Sequence, residues 1–152
     1  MFIVIVACTI MVIATTLLHY EVLRALNVGL PKLRIRNRTR LLVVIISAFI
    51  AHALEMALYG AALYVLVDWF GAGSLTGGAG FSLANCLYFS AETYTTLGFG
   101  DLTPVGPVRL LAGVEALNGL LLVGWSASFT YLSMERFWSA ESAAQDDSGP
   151  QP

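Results

Sequence analysis

The chain has 152 residues, of which 57% are hydrophobic and only 12% charged, and its mean hydropathy is +0.75. This composition excludes an ordinary soluble domain, and the length suits one membrane domain with three spans. The net charge of -2 carries little information, because the charges are segregated from the apolar segments. Cys8 and Cys86 both lie in apolar stretches, so we expect buried packing residues and not a disulfide.

The first predicted element is a transmembrane helix at residues 1–28, whose apolar part is long enough to cross a hydrocarbon core about 30 Å thick. The segment lacks the basic start and the small-residue cleavage site of a secretory signal, so we expect the helix to be retained. His19 falls near its end, where a polar side chain can reach the membrane interface.

A basic linker at residues 29–40 follows, and it holds five of the eight basic residues of the chain. A basic patch can indicate nucleic-acid binding, but in a short loop between two spans it is typical of the cytoplasmic side. The linker is therefore predicted to be cytoplasmic and the N-terminus to lie outside. The stretch between Lys32 and Arg40 is also predicted to contact anionic membrane lipid, and no nucleic-acid partner is expected.

The second predicted span is an outer helix at residues 41–70. A glycine-rich stretch at 71–80 is predicted to be a flexible external loop. Ser82 is a suitable N-cap for a short helix at 83–94. That helix is too short to span a membrane, so it is predicted to enter the membrane from outside and to point its C-terminal, negative end at the membrane centre.

The segment after the short helix is a loop, here called the filter loop, at residues 95–101. It reads Thr95, Thr96, Leu97, Gly98, Phe99, Gly100 and Asp101. Glycines at alternate positions let a chain alternate its handedness, because only glycine enters the left-handed region without steric cost. Such a loop can aim successive carbonyls at one axis, as an ion filter requires. A phosphate-binding glycine loop is the competing interpretation, but no strand precedes the motif and no lysine follows it.

The third span is an inner helix predicted at residues 107–134, and 137–152 are predicted to be a disordered acidic tail. The predicted fold is an all-α membrane protein, with three transmembrane helices, one re-entrant helix and one extended loop. The unit at 41–136 is predicted to be a single domain that contains the loop.

The stretch from Ser90 to Pro104, with an apolar span on each side, resembles the pore region of the potassium channel superfamily. That family carries a Thr-Val-Gly-Tyr-Gly-Asp type of filter after a pore helix. The resemblance covers residues 41–134, with the first helix as an addition. It implies a homotetramer, because one loop cannot close a ring of carbonyls.

The same resemblance implies passive conduction of K+, with no organic cofactor and no enzymatic activity. The implied ion-binding filter residues are Thr95, Thr96, Leu97, Gly98, Phe99 and Gly100. Carbonyls of Thr96, Leu97, Gly98 and Phe99 are the implied K+ sites. Leu97 and Phe99 stand where the family usually has Val and Tyr. Neither change removes a backbone ligand, but both leave the strictness of the selectivity open.

The resemblance also implies roles for three further residues, Glu92, Asp101 and Gly119. Glu92 and Asp101 match an acidic pair that supports the filter in some family members, and two close carboxyls can share a proton. Alternatively, Glu92 bonds nearby backbone amides and Asp101 attracts cations at the outer mouth. Gly119 falls near the hinge glycine of the family's inner helix, although close helix packing explains a glycine equally.

The second and third spans each carry a polar pair at helical spacing, and the four residues are predicted to form one buried cluster. They are His52, Glu55, Glu115 and Asn118. Structural hydrogen bonding, proton sensing and metal binding all remain open for such a cluster, although two ligands are too few for a metal site.

The function predicted from these features is a potassium-selective channel in the cell membrane, with a cytoplasmic C-terminus. A non-selective or sodium-permeable channel of the same architecture is the first alternative. A non-conducting accessory or scaffold subunit is the second. A redox subunit with two histidines is a third, but His19 and His52 are predicted to lie at different depths.

Overall fold

The computed structural model describes residues 1–32, 35–77 and 80–146. The helices, in chain order, are α1 (Phe2–Gly29), a 3-10 turn (Leu30–Lys32), α2 (Asn37–Asp68), α3 (Leu83–Tyr94) and α4 (Arg109–Asp146). Three stretches are long and apolar enough to cross a membrane: Phe2–Lys32, Arg38–Asp68 and Arg109–Arg136. The predicted all-α membrane fold is confirmed.

The first helix, α1, packs along one narrow stripe against α2 and α4. Its buried residues recur at intervals of three or four: Val4, Cys8, Met11, Thr15, His19, Leu23 and Leu26. The opposite face is equally apolar, with Ile10, Ile13 and Leu17 more than half exposed. A helix of a soluble protein would present polar residues there, so this face suits lipid.

The short helix α3 lies against both α2 and α4. Its N-cap is Ser82, whose hydroxyl accepts a hydrogen bond from the Asn85 amide at 3.2 Å. Gly60 of α2 permits the close approach, because a Cβ there would lie 2.9 Å from the Cα of Leu87. The free cysteines Cys8 and Cys86 are both buried in this core, as predicted.

Two short strands connect the loops on either side of α3. Strand β1 (Ser74–Gly77) pairs antiparallel with β2 (Leu102–Val105). Leu75 and Leu102 are buried, at 5% and 3% exposure, and hold this ribbon to the helices. The predicted flexible loop at 71–80 is therefore wrong over β1. Strands this short are fixed by their partner and by packing and not by local propensity.

The boundaries of two other predicted segments also differ from the structure. The third long helix continues to Asp146, because no glycine or proline interrupts the chain between Trp125 and Ser148. Residues 137–146 of the predicted disordered tail are part of this helix, and 147–152 lie outside the described residues, so the disorder stays a prediction. The linker predicted at 29–40 is shorter, since α1 includes Gly29 and α2 begins at Asn37.

Candidate functional site

The filter loop connects the C-terminal end of α3 to β2, and its backbone alternates in handedness. The φ angles of Thr96, Gly98 and Gly100 are +58°, +57° and +81°. Thr96 is the only non-glycine residue with a positive φ among the described residues. Left-handed residues at every second position turn successive carbonyls towards one side, and glycine makes this conformation accessible.

Glu92 holds the opposite side of the same loop. Its backbone carbonyl accepts hydrogen bonds from the amides of Leu97 at 2.8 Å and Gly98 at 3.3 Å. Its carboxylate accepts one from the amide of Phe99 at 3.1 Å. Three consecutive amides of the loop therefore bond towards α3. The side chain of Glu92 is almost fully buried and cannot exchange these bonds for water.

Asp101, the last residue of the filter loop, lies near Tyr88 of α3. Desolvation, followed by the negative charges of Asp101 and Glu92, raises the pKa of the Tyr88 phenol. Tyr88 thus lies within the electrostatic reach of both carboxylates. The hydrogen bond from the Phe99 amide to the Glu92 carboxylate matches the alternative role, in which Glu92 bonds nearby backbone amides. The Glu92–Asp101 pair stays a prediction.

The two unusual filter residues lie on the surface of the single subunit. Leu97 is 61% exposed and Phe99 is 65% exposed. The chain by itself therefore leaves part of the filter loop uncovered.

A second polar assembly lies deeper between the helices and includes His19, which was predicted at the interface. That prediction is wrong: His19 is fully buried, and its ring centroid lies 5.1 Å from that of His52. The two histidines therefore share one depth. The physical reason is the length of α1, which continues from His19 to Gly29, about 15 Å further at 1.5 Å per residue.

Glu55 bridges the two imidazoles. Its Oε1 lies 2.9 Å from His19 Nδ1, and its Oε2 lies 3.1 Å from His52 Nδ1. The Ser126 hydroxyl lies 3.1 Å from the Nε2 atom of each histidine. Tyr94, the last residue of α3, donates a hydrogen bond to Glu55, and its oxygen lies 2.9 Å from His52 Nδ1. This assembly connects all four helices.

The two α4 residues of the predicted cluster, Glu115 and Asn118, have different partners. Asn118 donates hydrogen bonds to the Thr15 hydroxyl at 2.8 Å and the Tyr59 hydroxyl at 3.2 Å. Glu115 bonds to Ser90, whose hydroxyl also lies 2.6 Å from the Met56 carbonyl oxygen. The structure therefore divides the predicted cluster into three groups.

The bonding of Ser90 constrains the protonation state of Glu115. A serine has one proton, and a backbone carbonyl can only accept. When Ser90 donates to Met56, its contact with Glu115 is satisfied by a protonated carboxyl that donates to Ser90. A neutral Glu115 also suits a side chain that is 1% exposed in an apolar environment.

Gly119 lies where α4 passes the C-terminal end of α3. A Cβ at this position would overlap the carbonyl oxygen of Tyr94. Close packing therefore explains this glycine, and the hinge stays a prediction. Gly113, in the same helix, has open surroundings, because no atom lies within 4 Å of the position that its Cβ would take.

Sequence reasoning missed several members of these polar groups: His19, Ser126, Tyr94, Thr15, Tyr59 and Ser90. A signal for them exists in the sequence, because Thr15 and His19 share one face of α1 at i, i+4 spacing. Ser126 continues the polar face that Glu115 begins on α4. A comparison of polar positions across all three spans would have indicated a shared interior.

The groups that could hold a cation are of two kinds. The filter loop offers backbone carbonyls. His19, His52 and Glu55 offer nitrogen and oxygen atoms within 4.8 Å of one another. Each of those atoms already has a hydrogen-bond partner, so a metal ion would have to displace bonds that the structure makes.

Comparisons with known proteins give a consistent result. A family profile described as "Ion channel" matches residues 39–136, more than half of the chain. The chain is also similar to the inward rectifier potassium channel Kirbac3.1 of Paramagnetospirillum magnetotacticum, with 38% identity over 56 residues. That match covers 36% of this chain and 19% of the relative, so it spans about a fifth of the relative's length. No solved structure matches the chain significantly.

Proposed function

We propose that this chain, which belongs to the ion channel family that matches residues 39–136, is the subunit of a potassium-selective channel. K+ would pass through it down the electrochemical gradient. The observation that carries the proposal is the alternating backbone of the filter loop, left-handed at Thr96, Gly98 and Gly100. The likeness to a potassium channel over 56 residues supports the choice of ion.

The coordination chemistry follows from the two sides of the loop. Glu92 binds the amides of Leu97, Gly98 and Phe99 on one side. The carbonyls of Thr96, Leu97, Gly98 and Phe99 would then replace the hydration shell of K+ on the other side. The negative end of the α3 dipole, which precedes Thr95, adds a favourable potential for a cation.

We propose that the channel is a homotetramer of this chain. One subunit supplies one loop, so a closed ring of carbonyls needs several copies around an axis. Four copies give stacked sites with four carbonyls each. The exposure of Leu97 and Phe99 in the single subunit supports this assembly, because neighbouring subunits would cover them.

The proposed topology places the chain in the cell membrane with its N-terminus outside and its C-terminus in the cytoplasm. The basic stretch between Lys32 and Arg40 would lie on the cytoplasmic side and contact anionic lipid. The ribbon of β1 and β2 would then lie at the outer surface, next to the outer mouth of the filter.

Ion flux from liposomes tests the proposal. Vesicles that contain the reconstituted chain should dissipate a K+ gradient much faster than a Na+ gradient of the same size. Equal rates would instead favour a non-selective or sodium-permeable channel. Vesicles that lose neither ion under any condition would favour an accessory or scaffold subunit.

A further inference from the structure

A closed ring of hydrogen bonds lies between the membrane-spanning helices, away from the filter loop. It consists of His19 on α1, His52 and Glu55 on α2, and Ser126 on α4, and is called the buried ring below. Glu55 contacts both Nδ1 atoms, at 2.9 and 3.1 Å, and Ser126 contacts both Nε2 atoms, each at 3.1 Å. Three of the four residues are buried, and His52 is partly buried.

The donors and acceptors of the ring fix the number of protons that it holds. An ionised Glu55 can only accept, so both Nδ1 atoms must donate to it. Two neutral imidazoles would then present two Nε2 acceptors to Ser126, whose single proton can serve only one of them. Every contact is satisfied when one imidazole carries an additional proton. Its Nε2–H then donates to Ser126, and Ser126 donates to the other Nε2.

This protonation state also balances the charge. One carboxylate and one imidazolium cancel, which suits a site inside a membrane protein. The Tyr94 hydroxyl donates to Glu55 and so favours its ionised form, which keeps the additional proton on a histidine. Because the two imidazoles face the same hydroxyl, Ser126 can pass its hydrogen to one Nε2 and take the hydrogen of the other, and this relay reverses which imidazole is charged.

We propose that the buried ring is a proton-binding site that holds one exchangeable proton per subunit and acts on the filter through Tyr94. The effect on conduction rests on the function proposed above. Tyr94 is the connecting residue, because its hydroxyl bonds to Glu55 while its backbone leads directly into Thr95 and the filter loop. Its carbonyl also packs against Gly119 of α4.

Each helix contributes neighbours to the buried ring, and we expect the ring itself, not these neighbours, to bind and release the proton. On α3, Tyr94 is the titratable residue in contact with it. Tyr59 on α2 and Glu115 on α4 bond to partners outside the ring, Asn118 and Ser90. On α1, Thr15 faces the same interior without titrating, and Trp125 of α4 covers the His19 ring at 5.5 Å.

A change in the number of protons on the buried ring alters the hydrogen bond between Tyr94 and Glu55. Loss of the proton leaves one Nε2 without a donor and a net negative charge on the ring. A second additional proton leaves a net positive charge and forces the Ser126 hydrogen out of the ring. We expect the filter to be held most firmly with one proton, so K+ flux should fall when the pH is raised enough to remove it.

Histidine-selective 15N labelling tests the site, because the chain contains only two histidines and both belong to the ring. Spectra of the full chain in lipid should show one doubly protonated imidazole per subunit at neutral pH. Two neutral imidazoles at neutral pH would overturn the proposal. Metal-bound nitrogen signals, together with one equivalent of zinc in the purified protein, would also overturn it in favour of a metal site.

The Ser126→Ala variant removes the acceptor of the charged imidazole. A hydrogen bond to a charged group is worth enough to weaken proton affinity about tenfold, which lowers the titration midpoint by about one pH unit. Ser128→Ala is the matched control, because the exposed Ser128 hydroxyl bonds the Gly124 carbonyl of its own helix at 3.0 Å. Its midpoint should equal that of the wild type, and equal midpoints in all three proteins would contradict the role of Ser126.

The same three proteins test the coupling to conduction. The midpoint of the K+ flux against pH should move with the midpoint in the spectra. A flux profile that stays unchanged while the spectral midpoint moves would overturn the connection through Tyr94. If no flux occurs at any pH, the proposed function fails, and the spectra of the wild type then decide the proton site independently.

Discussion

The replacement of Gly98 by alanine tests the filter backbone with the fewest side effects. Gly98 has a φ of +57°, and no atom lies within 4 Å of the position that a Cβ would take. The substitution therefore introduces backbone strain and no clash. A left-handed non-glycine residue costs about 1–2 kcal/mol, or about 4–8 kcal/mol over four copies around one axis. Thr96 already bears such a cost at +58° in the same loop.

A cost of this size lowers the population of the conducting filter by roughly a thousandfold or more. The assay is the rate of K+ loss from liposomes, with the oligomer followed by native mass spectrometry. Gly98→Ala should abolish flux while the tetramer remains intact. Gly71→Ala is the control, because Gly71 has a φ of +56° and equally open surroundings outside the filter loop. It should keep its flux. Selective flux in Gly98→Ala would refute the backbone argument.

The other predictions concern hydrogen bonds and packing around the filter. Glu92→Ala removes the acceptor of the Phe99 amide, a loss of about 1–3 kcal/mol, and should make K+ currents decay, whereas Glu92→Gln keeps an oxygen and should decay less. Equal decay in both would indicate that charge matters more than the bond. Gly119→Ala should overpack the contact with Tyr94, which costs about 1–3 kcal/mol of stability and lowers the thermal midpoint of unfolding. Gly113→Ala, in open surroundings, should leave the midpoint unchanged. Normal stability of Gly119→Ala with altered channel opening would favour the hinge. Asn118→Leu breaks two buried hydrogen bonds, each worth about 1 kcal/mol of stability. Amide hydrogen exchange in α1 should therefore become faster. Unchanged exchange would contradict a bonding role for Asn118.

The sequence was sufficient for the parts of the molecule that local chemistry determines. Three apolar segments of membrane length specify the spans, and the Ser82 N-cap precedes a helix with the length that was predicted. The glycines of the filter loop indicate the handedness that Gly98 and Gly100 adopt. Thr96 shares that handedness without being a glycine, and its amide donates a hydrogen bond to the Thr93 carbonyl at 3.0 Å.

Features that depend on how the helices meet could not be read from the sequence. The depth of His19 follows from the full length of α1 and from its contacts with α2 and α4. The division of the polar residues into three groups depends on helix rotation, which brings Ser90 and not His52 to Glu115. Gly119 has a packing role only because the carbonyl of Tyr94 lies opposite it.

We propose that a ring of backbone carbonyls, contributed by the filter loop at residues 95–101, selects K+. The most direct measurement is the reversal potential of the reconstituted full chain, with K+ on one side of a bilayer and an equal concentration of Na+ on the other. A K+-selective filter should give a reversal potential far from zero on the K+-selective side, about 60 mV for each tenfold preference. A reversal potential near zero in a conducting bilayer would contradict it.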